Sequence, residues 1–144
     1  MHGITDNLEI RVVGAPVANG SGINNASAII DMAGYESVAF VATITDSAAT
    51  GVATLAIQSS DTDGAAGMEA VEDTTATVTS AADDDLNSRA LLSEIRKPGK
   101  RFVRAVRTSA TANIAYGSVI AILTPHRRPA EKGATVAGAA FVSG

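Results

Sequence analysis

The chain has 144 residues, with 11 Lys and Arg against 15 Asp and Glu, a formal charge of −4, no Cys and no Trp. One domain is the expectation at that length, and the lack of Cys excludes a disulfide framework, a thiolate nucleophile and a Cys-ligated metal. Residues 1–88 carry 13 acids and one base, whereas residues 89–144 carry 10 bases and two acids. Such a split points either to a charged partner surface or to two halves that neutralise each other in the fold.

From the N-terminus, "MHGITDNLEI" has no basic region followed by an apolar stretch, so no signal peptide is expected. Apolar runs along the chain are too short to span a bilayer, and the expectation is a soluble, unexported protein without a membrane partner. "LEIRVV" alternates, with Leu8, Ile10 and Val12 opposite Glu9, Arg11 and Val13. "GAPVANGSG" is glycine-rich but lacks the Lys-Ser/Thr ending of a phosphate loop and reads as a flexible connection. "SAIIDM" is a weak strand candidate. "SVAFVATIT" sets Val38, Phe40, Ala42 and Ile44 against Ser37, Ala39, Val41, Thr43 and Thr45, and "GVATLAIQSS" sets Ala53, Leu55 and Ile57 against Val52, Thr54, Ala56 and Gln58. Both are half-buried strands by their period of two.

"DTDGAAGMEAVE" is the nearest approach to a calcium loop, with Asp61, Asp63 and Glu72 at the right count. Ala65 and Ala66 stand where an inner ligand and the sharp-turn glycine belong, so a hairpin turn is the better reading. "TTATVTS", "RALLSEI", "RFVRAVRT" and "ANIAYGSVIAIL" complete about eight strands, separated by turns such as "AADDD" and "RKPGK". The pattern predicts an all-β antiparallel sandwich or barrel. Residues 1–7 form an N-terminal arm, 8–125 the β-sandwich domain and 126–144 an extended C-terminal arm anchored by Val136, Phe141 and Val142.

Twenty-eight residues are Ala and only five are aromatic. Buried apolar area stabilises at roughly 25 cal/mol per Å², so this composition predicts a thin core supplemented by contact with other subunits. Catalysis is poorly supplied: His2 is terminal, His126 sits beside two arginines in the tail, and neither location offers a rigid pocket for a general base. No catalytic residue, cofactor or metal site is expected. The basic cluster Lys97, Lys100, Arg101, Arg104 and Arg107, with Phe102 and Tyr116 nearby, raises nucleic-acid binding. An acidic chain with few aromatics and no recognised nucleic-acid signature argues instead for a protein interface, or for pairing with the Asp and Glu residues of the other half. Candidate interface residues are Lys97, Lys100, Arg101, Arg104, Arg107, Arg127, Arg128 and Phe141.

The stretches "VAFVATITD", "GVATLAIQSSDTDG" and "KPGKRFVRAVRTSATANIAYGSVIAIL" resemble the head decoration, or cement, proteins of tailed bacteriophages. The likeness covers roughly residues 27–128. It departs from that family's pattern in lacking a Trp near "DTDGAAG" and in its long Ala-rich tail. The resemblance implies a jelly-roll β-sandwich made in the host cytoplasm and placed on the outer capsid surface. There it would bind the major capsid protein and itself, as a homodimer or a trimer, and staple neighbouring capsid subunits. Another virion component, or a carbohydrate- or nucleic-acid-binding sandwich, is the alternative.

Overall fold

The structure, a computed structural model, describes residues 3–142. Among them, eleven strands form two antiparallel sheets packed face to face. The front sheet contains β1 (Glu9–Gly14), β2 (Val17–Gly20), β5 (Tyr35–Ser47), β9 (Arg89–Arg96) and β11 (Ile114–Pro125). Its order is β1-β11-β5-β9, with β2 also on β11. The back sheet contains β3 (Asn24–Ala26), β4 (Ile30–Asp31), β6 (Val52–Ser60), β7 (Glu69–Ala70), β8 (Ala76–Thr79) and β10 (Phe102–Ala110). Its order is β3-β10-β6-β7, with β4 also on β10 and β8 on β6. The chain is an all-β sandwich, as the alternation predicts, and its architecture is jelly-roll-like, as the resemblance implies.

The core forms where alternation is cleanest. Val38, Phe40, Ala42 and Ile44 of β5 face Ala53, Leu55 and Ile57 of β6 across the sandwich, with Val103 and Ala105 of β10 and Val119, Ala121 and Leu123 of β11. Side chains two residues apart share one face of a strand, so each of these runs turns its apolar positions inward, and in β10 Arg107 continues the inward face after Val103 and Ala105. Four of those twelve core positions are Ala.

The departures from the sequence reading are local. Strands β2 and β3 arise in and just after "GAPVANGSG", and β7 in "DTDGAAGMEA", where turn chemistry hides them. Each is short and is held by main-chain pairing to a long neighbour: β2 to β11, β3 to β10 and β7 to β6. The N-terminal arm contains one helical turn, Ile4–Asn7, in place of a wholly extended segment. Strand β1 has the opposite facing from the one its apolar residues imply. Glu9 is buried, while Ile10 and Val12 point outward at 40% and 45% exposure. The inward carboxylate is satisfied there: Tyr35 donates its hydroxyl to Glu9 at 2.7 Å and Arg11 donates from Nε at 2.5 Å. A second Arg11 nitrogen donates to the Tyr35 hydroxyl at 2.9 Å. Burial, followed by the neighbouring Glu9 carboxylate, pushes the Tyr35 phenol up.

Candidate interaction surface

The pairing registers place a second set of apolar side chains on the outer face of the front sheet. One row crosses four strands: Val12 pairs with Ile120, Ile120 with Val41, and Val41 with Leu92. The adjacent row is Ile10, Ile122 and Ala39, ending on Glu94. These residues are half-buried to exposed, and Leu92 is the most open of them at 60%. Contiguous apolar surface of this kind marks contact with another body. The sequence carries a signal for it: "VIAIL" in β11 is apolar on both faces, which a strand needs only when both are covered.

The outer face of the back sheet is of the opposite character. Thr77 pairs with Thr54, Thr54 with Thr108, and Thr108 with Asn24, giving one polar row across it. The Thr54 and Thr108 hydroxyls are bonded to each other. Gln58 and Arg104 lie along the same face, and Arg104 donates to the Gln58 side-chain oxygen at 2.9 Å. The two outer faces thus differ: apolar rows cross the front one, whereas on the back one polar rows flank a single row of Ala26, Val106 and Ala56.

The basic turn sits at the end of the slab where β5 and β10 begin and β9 and β11 finish. Acidic residues from the other half of the chain meet it there. Arg101 grips Asp31 with two parallel bonds of 2.8 Å each, and Lys100 reaches Glu69 at 2.9 Å. The fork from Arg101, with the Ala33 N–H, holds the Asp31 carboxyl at about 2, below its ordinary 3.8. Lys100 likewise lowers Glu69. A carboxylate lowered in the folded state stabilises above its unfolded value and loses that contribution as pH falls through the folded one. Asp31→Asn is therefore expected to lower the thermal midpoint modestly above about pH 4 and to converge with the wild type near pH 2, so that the pH dependence between 3.8 and about 2 flattens. Two of the ten bases in residues 89–144 are thus paired with acids of the other half.

Of the remaining candidates, Arg107 departs from the surface reading. It is buried, at 1% exposure. It donates to the Gly117 carbonyl at 2.6 Å, the Ala15 carbonyl at 2.7 Å and the Asn25 side-chain oxygen at 2.8 Å. The reason lies in strand parity: Arg107 shares the inward face of β10 with Val103 and Ala105. Arg104 is half-buried on the back sheet, and Lys97 and Arg127 are exposed. Arg128 donates to the Asn7 side-chain oxygen at 2.7 Å. His126 is exposed, its backbone N–H donating to Gly34 at 2.9 Å, and His2 lies outside the described residues.

After β11 the chain turns back along the free edge of β1. The Ala130 N–H donates to the Asp6 carbonyl at 2.7 Å, and the Val12 N–H donates to the Thr135 hydroxyl at 2.8 Å. Between them Gly133 lies so close to β1 that a Cβ there would stand 1.9 Å from the Ile10 carbonyl oxygen. Arm and N-terminal segment enclose a groove of about 910 Å³ lined by Leu8, Ile10, Val136 and Phe141, with Phe141 itself 70% exposed. Gly133→Ala is expected to lift the arm off β1. Hydrogen exchange at the Val12 amide should speed up markedly while the core amides of β5 stay protected.

No protein-family model matches this chain, and no curated protein matches its sequence. Solved structures that are distantly similar include the following two. One is the N-terminal endo-1,4-beta-D-xylanase 10B of Clostridium thermocellum, its CBM22-1 and GH10 modules complexed with xylohexaose, at 12% identity and a TM-score of 0.42. The match covers 94% of this chain and 29% of that one. The other is the infectious bursal disease virus Gt strain structure, at 10% identity and a TM-score of 0.37, covering 84% of this chain and 33% of that one. The chain thus spans about a third or less of either structure. What fold and surface together define is a small two-sheet β-sandwich module.

Proposed function

We propose that the chain is a non-catalytic assembly module of a virion, lying flat on the outer surface of a capsid through the apolar face of its front sheet. The observation that carries this reading is the contrast between the two outer faces, one crossed by Val12, Ile120, Val41 and Leu92 and the other by Thr77, Thr54, Thr108 and Asn24. A module with one such side sets it against a partner and leaves the other in water. On this reading residues 8–125 are the binding module and residues 1–7 and 126–144 its arms. The partner is the major capsid protein, and the module staples neighbouring copies of it. Repetition over a lattice converts weak single contacts into firm attachment. Exposed Lys97 and Arg127 at the basic end supply charged contacts that set orientation.

The test is sedimentation with purified heads. The wild-type chain should be retained at a copy number near that of the capsid subunit, and the double variant Val41→Asp/Ile120→Asp should lose retention by at least about 10-fold. Thr54→Asp on the back sheet should retain it. A few copies per particle would indicate a head–tail joining or tail protein, and no retention would end the capsid reading.

A second reading, a carbohydrate-binding module, draws on the back sheet. Its Thr77, Thr54, Thr108 and Asn24 row, with Gln58 and Arg104 beside it, is a ready set of hydrogen-bonding groups. Against it, Phe40 and Tyr116 are buried, and the half-buried Tyr35 and Phe102 rings lie beneath the guanidinium groups of Arg11 and Arg101 at 5.3 and 5.2 Å. Glycan-array binding that Thr54→Asp abolishes and Val41→Asp/Ile120→Asp spares would favour this second reading.

A further inference from the structure

The two edges of the front sheet are treated differently. The β1 edge is covered by the chain's own C-terminal arm, through Gly133 and Thr135. The β9 edge, eight residues long, pairs with β5 on one side only. Which backbone groups it leaves open follows from the register. The Lys97 N–H donates to the Glu36 carbonyl at 2.7 Å, one step beyond the Ser37–Arg96 pair. Hydrogen-bonded and non-bonded pairs alternate along an antiparallel ladder. Ile95, Ser93 and Leu91 therefore exchange bonds with Val38, Phe40 and Ala42, and the N–H and C=O groups of Ala90, Leu92 and Glu94 point away from the sheet. Among the described residues, none of those three N–H groups has a protein acceptor.

An open edge of this length templates another strand. Here the strand that fits is β9 itself, and we propose that two copies of the chain join by antiparallel β9–β9 pairing about a two-fold axis at Leu92. In that register Leu92 faces the partner's Leu92, and Ala90 faces the partner's Glu94. The outward-pointing groups of these residues then form about six main-chain hydrogen bonds. The apolar row Val12–Ile120–Val41–Leu92 continues into its symmetry copy, so the most exposed side chain of the row becomes its buried centre. Alternative registers are poorer. A shift centred on Ser93 sets Leu92 against the partner's Glu94. A shift centred on Glu94 sets two carboxylates opposite each other, which is destabilising. The surface used is self-complementary and closes as a dimer. The inference does not depend on what the front face binds.

Two variants test it in the full chain. Leu92→Pro removes an N–H that points to the free edge, a position where proline is tolerated by the isolated fold. By sedimentation velocity the wild type should be a dimer, and Leu92→Pro should be a monomer with an unchanged far-UV spectrum. The dissociation constant should rise by at least about 100-fold. The chain has no Cys, so a single introduced one reads the register directly. Leu92→Cys places two thiols on Cα atoms about 5.5 Å apart, within disulfide range. It should give a covalent dimer on mild oxidation, whereas Glu94→Cys should not. A wild-type monomer at about 100 µM, far above the dissociation constants of stable dimers, would overturn the proposal. So would a folded Leu92→Pro dimer, or cross-linking through Glu94→Cys instead of Leu92→Cys.

Discussion

Replacing Arg107 by alanine is expected to cost about 3–5 kcal/mol, moving the urea midpoint down by at least about 1 M. The side chain binds three acceptors on three segments: the Gly117 carbonyl in β11, the Ala15 carbonyl in the β1–β2 turn and the Asn25 side chain in β3. It therefore ties the front sheet to the back sheet from inside. Its guanidinium lies 5.5 Å from the centre of the Tyr116 ring. Burial pushes the arginine pKa down and the proximity of Tyr116 pushes it back up. The same burial drives the Tyr116 phenol up to about 12. Removal would leave those oxygens unpaired in the interior together with a large cavity. Arg107→Met separates the two contributions, because it keeps most of the volume and loses every hydrogen bond. A methionine variant close to wild type in stability would show that the bonds contribute little, and one close to alanine would show that they dominate. Arg107→Lys should recover only part of the loss, since an ammonium cannot span the acceptors with a planar fork.

That residue also shows where sequence reasoning stops. By composition Arg107 belongs with Lys100, Arg101 and Arg104, one basic run at the start of a strand. The fold separates them by parity: Arg107 goes inward with Val103 and Ala105, and Arg104 stays on the outer face. The alternation was visible in the residue order, but a charged side chain among apolar ones gives no indication that backbone carbonyls await it. The partners of Arg101 and Lys100 were hidden for a different reason. Asp31 is 70 residues away in the chain and Glu69 is 31 away, and only the strand order brings them to the same end of the sandwich.

Strand β1 carries the sharpest lesson about periodicity. A period of two identifies two faces without saying which is inside. Leu8, Ile10 and Val12 point to a buried face, yet Glu9 and Arg11 go in because Tyr35 and Arg11 satisfy the carboxylate. The apolar face is left beside the arm that folds over it. Strands β5 and β6 were legible because inward apolar positions alternate with mostly polar or small outward ones, and β10 and β11 because long β-branched and apolar runs follow turn residues. Strands β2, β3 and β7 were not, because neighbours rather than their own side chains hold them in place.

The other large effect is expected at Phe40, the only phenylalanine in the core cluster. Its cross-strand neighbours on the inward face are Ala121 and Ser93, both small. Ala42 stands two residues along the same strand and is equally buried. The penalty for truncating a buried side chain grows with the cavity that remains, which depends on how far the surroundings can collapse. Short side chains on a hydrogen-bonded sheet cannot reach into the space, so Phe40→Ala should fall at the upper end of the usual range, about 4–5 kcal/mol. Ile120→Ala, on the half-buried outer face of the same sheet, should cost no more than about 1 kcal/mol in the isolated chain, because water already reaches that position. Urea unfolding of the two variants measures the difference. If Phe40→Ala costs no more than Ile120→Ala, the inward face is not the one that holds the sandwich together. If Ile120→Ala is the costlier of the two, the outer face is already covered in the isolated chain and is not free to take a partner.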